Sequence, residues 1–468
     1  MSHPHSAFKL QSEKKAFDRD HRKRISFNID KYKTSVTGGF GQFADLALAR
    51  QRSAGIKRKV LDNLDQYLIE FETNYKRNGG RVIWAQDTTE AHTAVLDILK
   101  KHGVTSIVKS KSMVTEELKL NEFLEQHKIE PIETDLGEYI QQLSGEPPYH
   151  IVTPAMHKSK EDVAKLFHEK LGTPLNYTPE QLTLKAREVL RNKYVEAGAG
   201  ITGANFLLAD IGGVCVLENE GNARMSTSMP KVHIVIAGIE KLLPSVADLA
   251  LFLPVLSTFG TGQKITNYNT ILTGPQRNGE GDGPTEMYVI LLDNGRTNLL
   301  AQVPQRDALA CIRCGACLNA CPVYKNIGGH TYGKAYTGPI GSVITPYYSG
   351  QKNYIHLSYA SSLCGGCTEV CPVNIDLHKF LLYNRHKYID ETKGTGVERF
   401  VWKLWRKASL NRKMMNSGKA SIKNLAFRYI FRKGWGKRRA PLTFPNQTFN
   451  QQWVDQRGLE EPEKKIML

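Results

Sequence analysis

Apolar positions in the first third of the chain follow two alternating periods. Ala44 to Arg52 and Lys59 to Arg77 carry them at helical spacing, with Val60, Leu61, Leu64, Tyr67, Leu68 and Phe71 on one stripe. The turn TGGFGQF, holding Gly38, Gly39 and Gly41, punctuates the charged residues before them, so residues 1–65 read as a helical lead-in. Beyond residue 80 the period switches back and forth. RVIWA reads as a strand, TTEAHTAVLDILKKHG as a helix ending at Gly103, TSIVKS as a strand, Thr115 to Gln126 as a helix and IEPIET as a strand. This βαβαβ rhythm predicts a parallel, doubly wound sheet. HIVTPA, after Pro147 and Pro148, reads as a further strand, and two amphipathic helical stretches follow it. The runs AGAGITGANFLLADIGGVCVLENEGNARM, KVHIVIAGI and EMYVILLDNG also read as sheet.

Within this α/β region the candidate chemistry is thin. Gly198, Gly200 and Gly203 spell G-x-G-x-x-G, but KAREVLRNKYVEA before them is helical, whereas a dinucleotide fingerprint needs a strand there. The glycines therefore read as a turn between helix and sheet. Lys109, Lys111 and His157 fall at the ends of expected strands, where open α/β sheets place ligands; as isolated residues they read as solvated loop charges. Cys215, between Val214 and Val216, reads as a buried apolar side chain. Ser, His and Asp residues form no nucleophile elbow and no metal-binding His pair, so no catalytic residue is assigned.

A length of 468 residues suits two or three domains. The net charge of +17 is concentrated: residues 401–440 hold thirteen Lys or Arg and no Asp or Glu. Such a local basic element argues against a nucleic-acid-binding surface spread over the whole chain. In it Phe400, Val401, Leu404, Trp405 and Ala408 form a helical stripe among Lys403, Arg406 and Lys407, and Trp402, Trp405, Trp435 and Trp453 all lie beyond residue 400. A basic amphipathic helix of this kind docks on an anionic membrane surface or a partner, or packs its stripe on its own chain. The stretch from Pro441 onward, rich in Pro, Gln and Asn, reads as an extended tail. No signal-peptide pattern opens the chain, and the most apolar region, 233–256, is broken by Glu240, Lys241, Pro244, Asp248 and Pro254. The expectation is a cytoplasmic protein, peripheral at most to the inner face of the membrane.

The strongest signal lies between residues 311 and 371, which hold seven of the eight cysteines. CIRCGACLNACP places Cys311, Cys314, Cys317 and Cys321 before Pro322, the C-x2-C-x2-C-x3-C-P run of bacterial iron-sulfur proteins. Three thiolates at two-residue intervals on a tight turn reach one cubane, and the fourth points away to the other cluster. Cluster one then takes Cys311, Cys314, Cys317 and Cys371, and cluster two takes Cys321, Cys364 and Cys367. In SSLCGGCTEVCP the place of a first cysteine is held by Ser361. Cluster two is thus a [3Fe-4S] group, or a [4Fe-4S] group completed by Ser361, Ser362, solvent or another ligand; the expectation is two [4Fe-4S] clusters as assembled. A lone zinc needs fewer thiolates than this run supplies, and disulfides do not suit a reducing compartment. The 42 residues Pro322 to Leu363 between the motifs suit a mainly helical dicluster domain, with His330 structural.

The cysteine pattern with Ser361, together with GITGANFLLADIGG, GNARMSTSMPKVHIVIAG and TGPQRNGEGDGPTEMYVILLDNGR, resembles the lactate-utilisation protein B family over nearly the full length. That resemblance implies a LUD domain, similar to glucosamine-phosphate isomerase and CoA-transferase folds, joined to a dicluster ferredoxin domain and a basic C-terminal region. The expected division is 1–65, 66–300, 301–390 and 391–468. It also implies two [4Fe-4S] clusters, the second on three cysteines, and electron transport during oxidation of L-lactate to pyruvate, with two sister proteins and an unidentified acceptor as partners. The alternative from another class is a CoA-transferase-like or hydrolase-like enzyme with structural or oxygen-sensing clusters.

Overall fold

Among the described residues ten strands occur in chain order: β1 (Arg81–Ala85), β2 (Ser106–Lys109), β3 (Glu130–Glu133), β4 (Ala199–Thr202), β5 (Phe206–Leu208), β6 (Gly213–Glu218), β7 (Val232–Gly238), β8 (Leu242–Leu243), β9 (Tyr268–Leu272) and β10 (Glu286–Leu292). They come from a computed structural model that describes residues 3–392, 396–436 and 439–457. Six form one sheet in the order β1-β10-β7-β4-β2-β3. All its neighbours run parallel, with Ile107 beside Ala199, Ala199 beside Val232 and Val232 beside Glu286. The doubly wound expectation holds. Helices cover both faces, so β7 is buried at every position: Ile234 and Ile236 share one core with Val95 and Leu99, while Val235 and Ala237 share another with Leu68 and Phe71. A smaller sheet, β8-β5-β6-β9, lies in the same unit, and Cys215 on β6 is fully buried as expected.

Four local expectations give way. HIVTPA is not a strand: the His150 ring accepts the amides of Val152 at 3.0 Å and Thr153 at 3.3 Å, and Tyr149 donates its amide to the Pro154 carbonyl, folding the segment on itself. The glycines of G-x-G-x-x-G do not form a turn; Gly200 sits inside β4, where the Ser226 carbonyl lies 1.8 Å from the position a Cβ would take. Glycine is needed there for close helix-to-strand approach, not for a nucleotide. The helix expected over 115–126 breaks at Lys119, which has φ 53° and separates Met113–Leu118 from Leu120–Gln126. Lys109 is not a solvated loop charge but 1% exposed, its Nζ 2.7 Å from Glu133 and 3.0 Å from Glu116, because helices close over the strand end.

The chain divides into two compact units, 1–388 and 389–468. In the second, helices run over Gly396–Ser409, Arg412–Asn416, Ala420–Ala426 and Phe449–Arg457. The last replaces part of the expected extended tail. Thr448 and Gln451 exchange side-chain-to-amide hydrogen bonds of 3.3 and 2.8 Å, a capping box that starts the helix. Residues 458–468 lie outside the described residues. The stripe residues Phe400, Val401, Leu404 and Trp405 are exposed. No helix among the described residues is long and apolar enough to cross a membrane.

The Lys109 ion pair yields a stability prediction. Replacing Lys109 with Met leaves Glu133 buried without its cation, a loss of about 3–5 kcal/mol, whereas Lys109→Met/Glu133→Leu recovers most of it. The check is the urea midpoint of the far-ultraviolet circular dichroism; a single variant within about 1 kcal/mol of wild type contradicts the assignment.

Candidate metal centre

The 3-10 turn Arg306–Ala310 delivers Cys311. Arg313 (φ 62°) and Gly315 (φ 82°) then bracket Cys314, and the helix Ala316–Ala320 carries Cys317. The second motif repeats this backbone: Leu363 (φ 55°) and Gly365 (φ 81°) bracket Cys364, and the helix Gly366–Glu369 carries Cys367. Non-glycine residues in the left-handed region are uncommon and marked by function. The repeat places Ser361 where the first motif has Cys311. Even the local bond is kept, since Cys311 Sγ accepts the Arg313 amide at 3.4 Å and Ser361 Oγ accepts the Leu363 amide at 3.1 Å.

The fold sorts the seven thiols into two sets. Cys311, Cys314, Cys317 and Cys371 line one small cavity with Ile151, Ile340 and Ile375. Cys321, Cys364 and Cys367 lie within electrostatic reach of one another. Burial, then the Cys311 thiol, pushes Cys314 and Cys317 far up, and burial raises Cys367 and Cys371 to about 11. Such thiols ionise when a bound cation displaces their protons. Amides point at the sulfurs: Ile375 donates to Cys371 at 3.4 Å and Tyr324 to Cys321 at 3.5 Å. Among the described residues the one group of three or more His, Cys, Asp or Glu ligand atoms within 4.8 Å of one another is Glu146, His157 and His330, so no three cysteine sulfurs come that close. Sulfurs around a tetrahedral zinc, at about 2.3 Å each, lie about 3.8 Å apart. The four-thiol cavity fits a larger group, as an iron-sulfur cubane is. The first set is mostly buried, whereas Cys364 of the second is exposed.

Charged groups lock the first motif to the end of the parallel sheet. Just past β7, Glu240 accepts from Arg296 Nε at 2.6 Å and stands 3.4 Å from Arg313 Nη2. Arg296, 0% exposed, also reaches Glu117 at 2.9 Å, and Tyr336 donates its hydroxyl to the same carboxylate at 2.7 Å. Burial alone would raise Glu240; Arg296 and then Arg313 outweigh it and bring the carboxyl down to about 2. Arg313 lies over the Tyr336 ring at 4.4 Å. From the helix Leu46–Asp62, Lys57 Nζ donates to the Glu240 carbonyl at 2.6 Å, and Arg50 donates to the carbonyls of Cys371 at 2.9 Å and Glu369 at 2.7 Å.

A cavity of about 410 Å³ opens at the C-terminal edge of the parallel sheet and is walled on one side by Arg313 and Cys314. Of the three charged residues singled out in the sequence, Lys111 lines it, donating to the Val152 carbonyl at 2.7 Å. It too is partly buried, not freely solvated. Lys109 points to Glu133 instead, and His157 is tied to Glu146 at 3.0 Å beside His330, whose Nε2 bonds the Pro147 carbonyl. Sequence reasoning missed Arg313, Glu117, Arg296 and the roles of Glu240 and Lys241. The available signal was the Glu240-Lys241 pair interrupting an apolar run, which marked only what could not cross a membrane. Burial and then Arg313 lower Lys241 to about 8.

Comparison with known proteins agrees with this geometry. Residues 68–292 match the LUD domain, and residues 307–375 match the 4Fe-4S dicluster domain. Lactate utilization protein B of Bacillus licheniformis is 47% identical over 73% of this chain and 72% of its own. Its counterpart in Shouchella clausii is 38% identical over 98% of this chain and 95% of its own. The uncharacterized electron transport protein YkgF of Escherichia coli is 46% identical over 74% and 72%. The architecture is a LUD domain on a parallel sheet followed by a dicluster ferredoxin-type domain, and the chain belongs to the lactate utilization protein B family.

Proposed function

We propose that this chain carries electrons during the oxidation of L-lactate to pyruvate, in a complex with sister subunits and with an acceptor of unidentified nature. Cys311, Cys314, Cys317 and Cys371 hold one [4Fe-4S] cluster, and Cys321, Cys364 and Cys367 hold a second. The observation that carries this reading is the crossed sorting of the thiols: each motif lends one cysteine to the other's set, which keeps the two sites adjacent. When bound, the clusters supply one-electron redox chemistry. The chain's own part is to place the two sites differently: the first would lie buried against the cleft at the sheet edge, and the second would reach the surface at Cys364, where a redox partner has access. Amide donors to Cys311, Cys321 and Cys371 favour the reduced, more negative state. Ser361 Oγ, in the place equivalent to Cys311, is the fourth ligand of the second site.

The helix Gly396–Ser409, with its exposed apolar stripe and flanking cations, makes peripheral contact with an anionic membrane surface. The division 1–65, 66–300, 301–390 and 391–468 describes the working parts.

Protein purified without oxygen should hold about seven or eight irons per chain with matching acid-labile sulfide; stoichiometric zinc without sulfide overturns the reading. Mild oxidation should convert the second site first, giving a [3Fe-4S] electron paramagnetic resonance signal that Ser361→Cys suppresses. A Cys371→Ser variant losing only that oxidation-sensitive signal contradicts the crossed assignment. Removal of residues 400–468 should leave cluster spectra intact and abolish co-sedimentation with phosphatidylglycerol-rich vesicles; unchanged sedimentation rules out the membrane contact.

A further inference from the structure

The charges lining the 410 Å³ cleft separate by whether they already have a partner. Glu218 accepts the amides of Ala223 at 2.6 Å and Arg224 at 2.8 Å, Asp135 accepts that of Gly137 at 3.0 Å, and Glu220 that of Leu136 at 3.3 Å. Lys111 is held by the Val152 carbonyl. Two cations remain. Lys241, 8% exposed, has no hydrogen-bond or ion-pair partner among the described residues. Arg313, also 8% exposed, leaves Nε and Nη1 with no acceptor, and its Nη2 reaches only Glu240, which Arg296 already engages at shorter range. Burying two cations around one shared carboxylate is costly without a further anion. The thiolates of the first site can neutralise Arg313, which borders both cavities. Lys241 is attracted by Glu240 and by the Cys311 thiol as well, yet it hydrogen-bonds to neither and lines the cleft rather than the thiol cavity.

We propose that the cleft binds a small organic carboxylate at the wall carrying Lys241 and Arg313. The planar guanidinium suits the two oxygens of a carboxylate, and Ile151, Val152, Leu256 and Tyr336 offer apolar surface for its carbon atoms. The position at the C-terminal edge of a parallel sheet is where such folds bind ligands. Cys314 lies in the same wall, so a bound carboxylate sits against the first thiol site. This placement rests on the electron-transfer reading for what Cys314 holds; the unpartnered cations stand without it.

The test is calorimetric titration of the anaerobically purified full chain with pyruvate, L-lactate and inorganic phosphate. One carboxylate is expected to bind per chain, at least about tenfold more weakly in Lys241→Met, with the iron content unchanged and the resonance of the buried cluster shifted on binding. In the unmodified chain, pyruvate should slow acetic-anhydride labelling of Lys241 more than that of exposed lysines, a readout independent of any variant. Failure of both pyruvate and L-lactate to bind iron-loaded protein overturns the inference and leaves the electron-transfer reading standing. Phosphate binding more tightly than either carboxylate overturns the ligand class. Carboxylate binding by a chain that holds no iron and sulfide keeps the inference and overturns the electron-transfer reading.

Discussion

The carboxylate of Glu240 is the point on which the two halves of the larger unit depend. It stands just past β7, a strand buried at every position, and one of its oxygens takes Arg296 while the other faces Arg313 between the first two cysteines of the metal centre. A buried ion network is weak evidence for net stability, because desolvation opposes the Coulomb gain. What it secures is position: with Glu117 and Tyr336 closing the other side, the loop from Cys311 to Cys314 has one arrangement relative to the sheet edge.

That position has a chemical consequence. The sheet edge and the first thiol set share a wall, formed by Arg313 and Cys314, so a ligand in the cleft and a group among the thiols are separated by little more than side chains. The second set lies further out, with Cys364 exposed and a serine in place of a fourth cysteine. One motif is thus enclosed and rich in thiols, the other open and short of one. Repetition of the left-handed pair around Cys314 and Cys364 shows that both are built on the same backbone turn.

Features set by short-range chemistry were legible in the chain itself. β1, β2, β3, β7 and β10 appear where the period predicts them, and the central β7 and β10 do so as long apolar runs because burial on both faces of a sheet demands continuous apolar sequence. The spacing of the cysteines and the absence of one at Ser361 needed no coordinates, since two-residue intervals on a turn dictate which thiols converge. A capping box at Thr448 and Gln451 was present too, but in a polar stretch whose composition masked it.

What the sequence determined by itself, then, was the parallel sheet, the dicluster motif and the segregation of basic charge into 401–440, each a matter of local period, spacing or composition. Tertiary structure decided the rest. Whether a lysine is solvated depends on what folds over it, and Lys109 lies buried against Glu133 while Lys241 lies buried without a hydrogen bond among the described residues. Whether Gly200 marks a nucleotide loop depends on Ser226, twenty-six residues away, whose carbonyl fills the space of a Cβ. His150 turns HIVTPA from a strand into a bend beside the metal centre by capturing two amides. Each of these outcomes is an interaction between residues distant in the chain or a local competition won by packing, and such terms are absent from any periodicity.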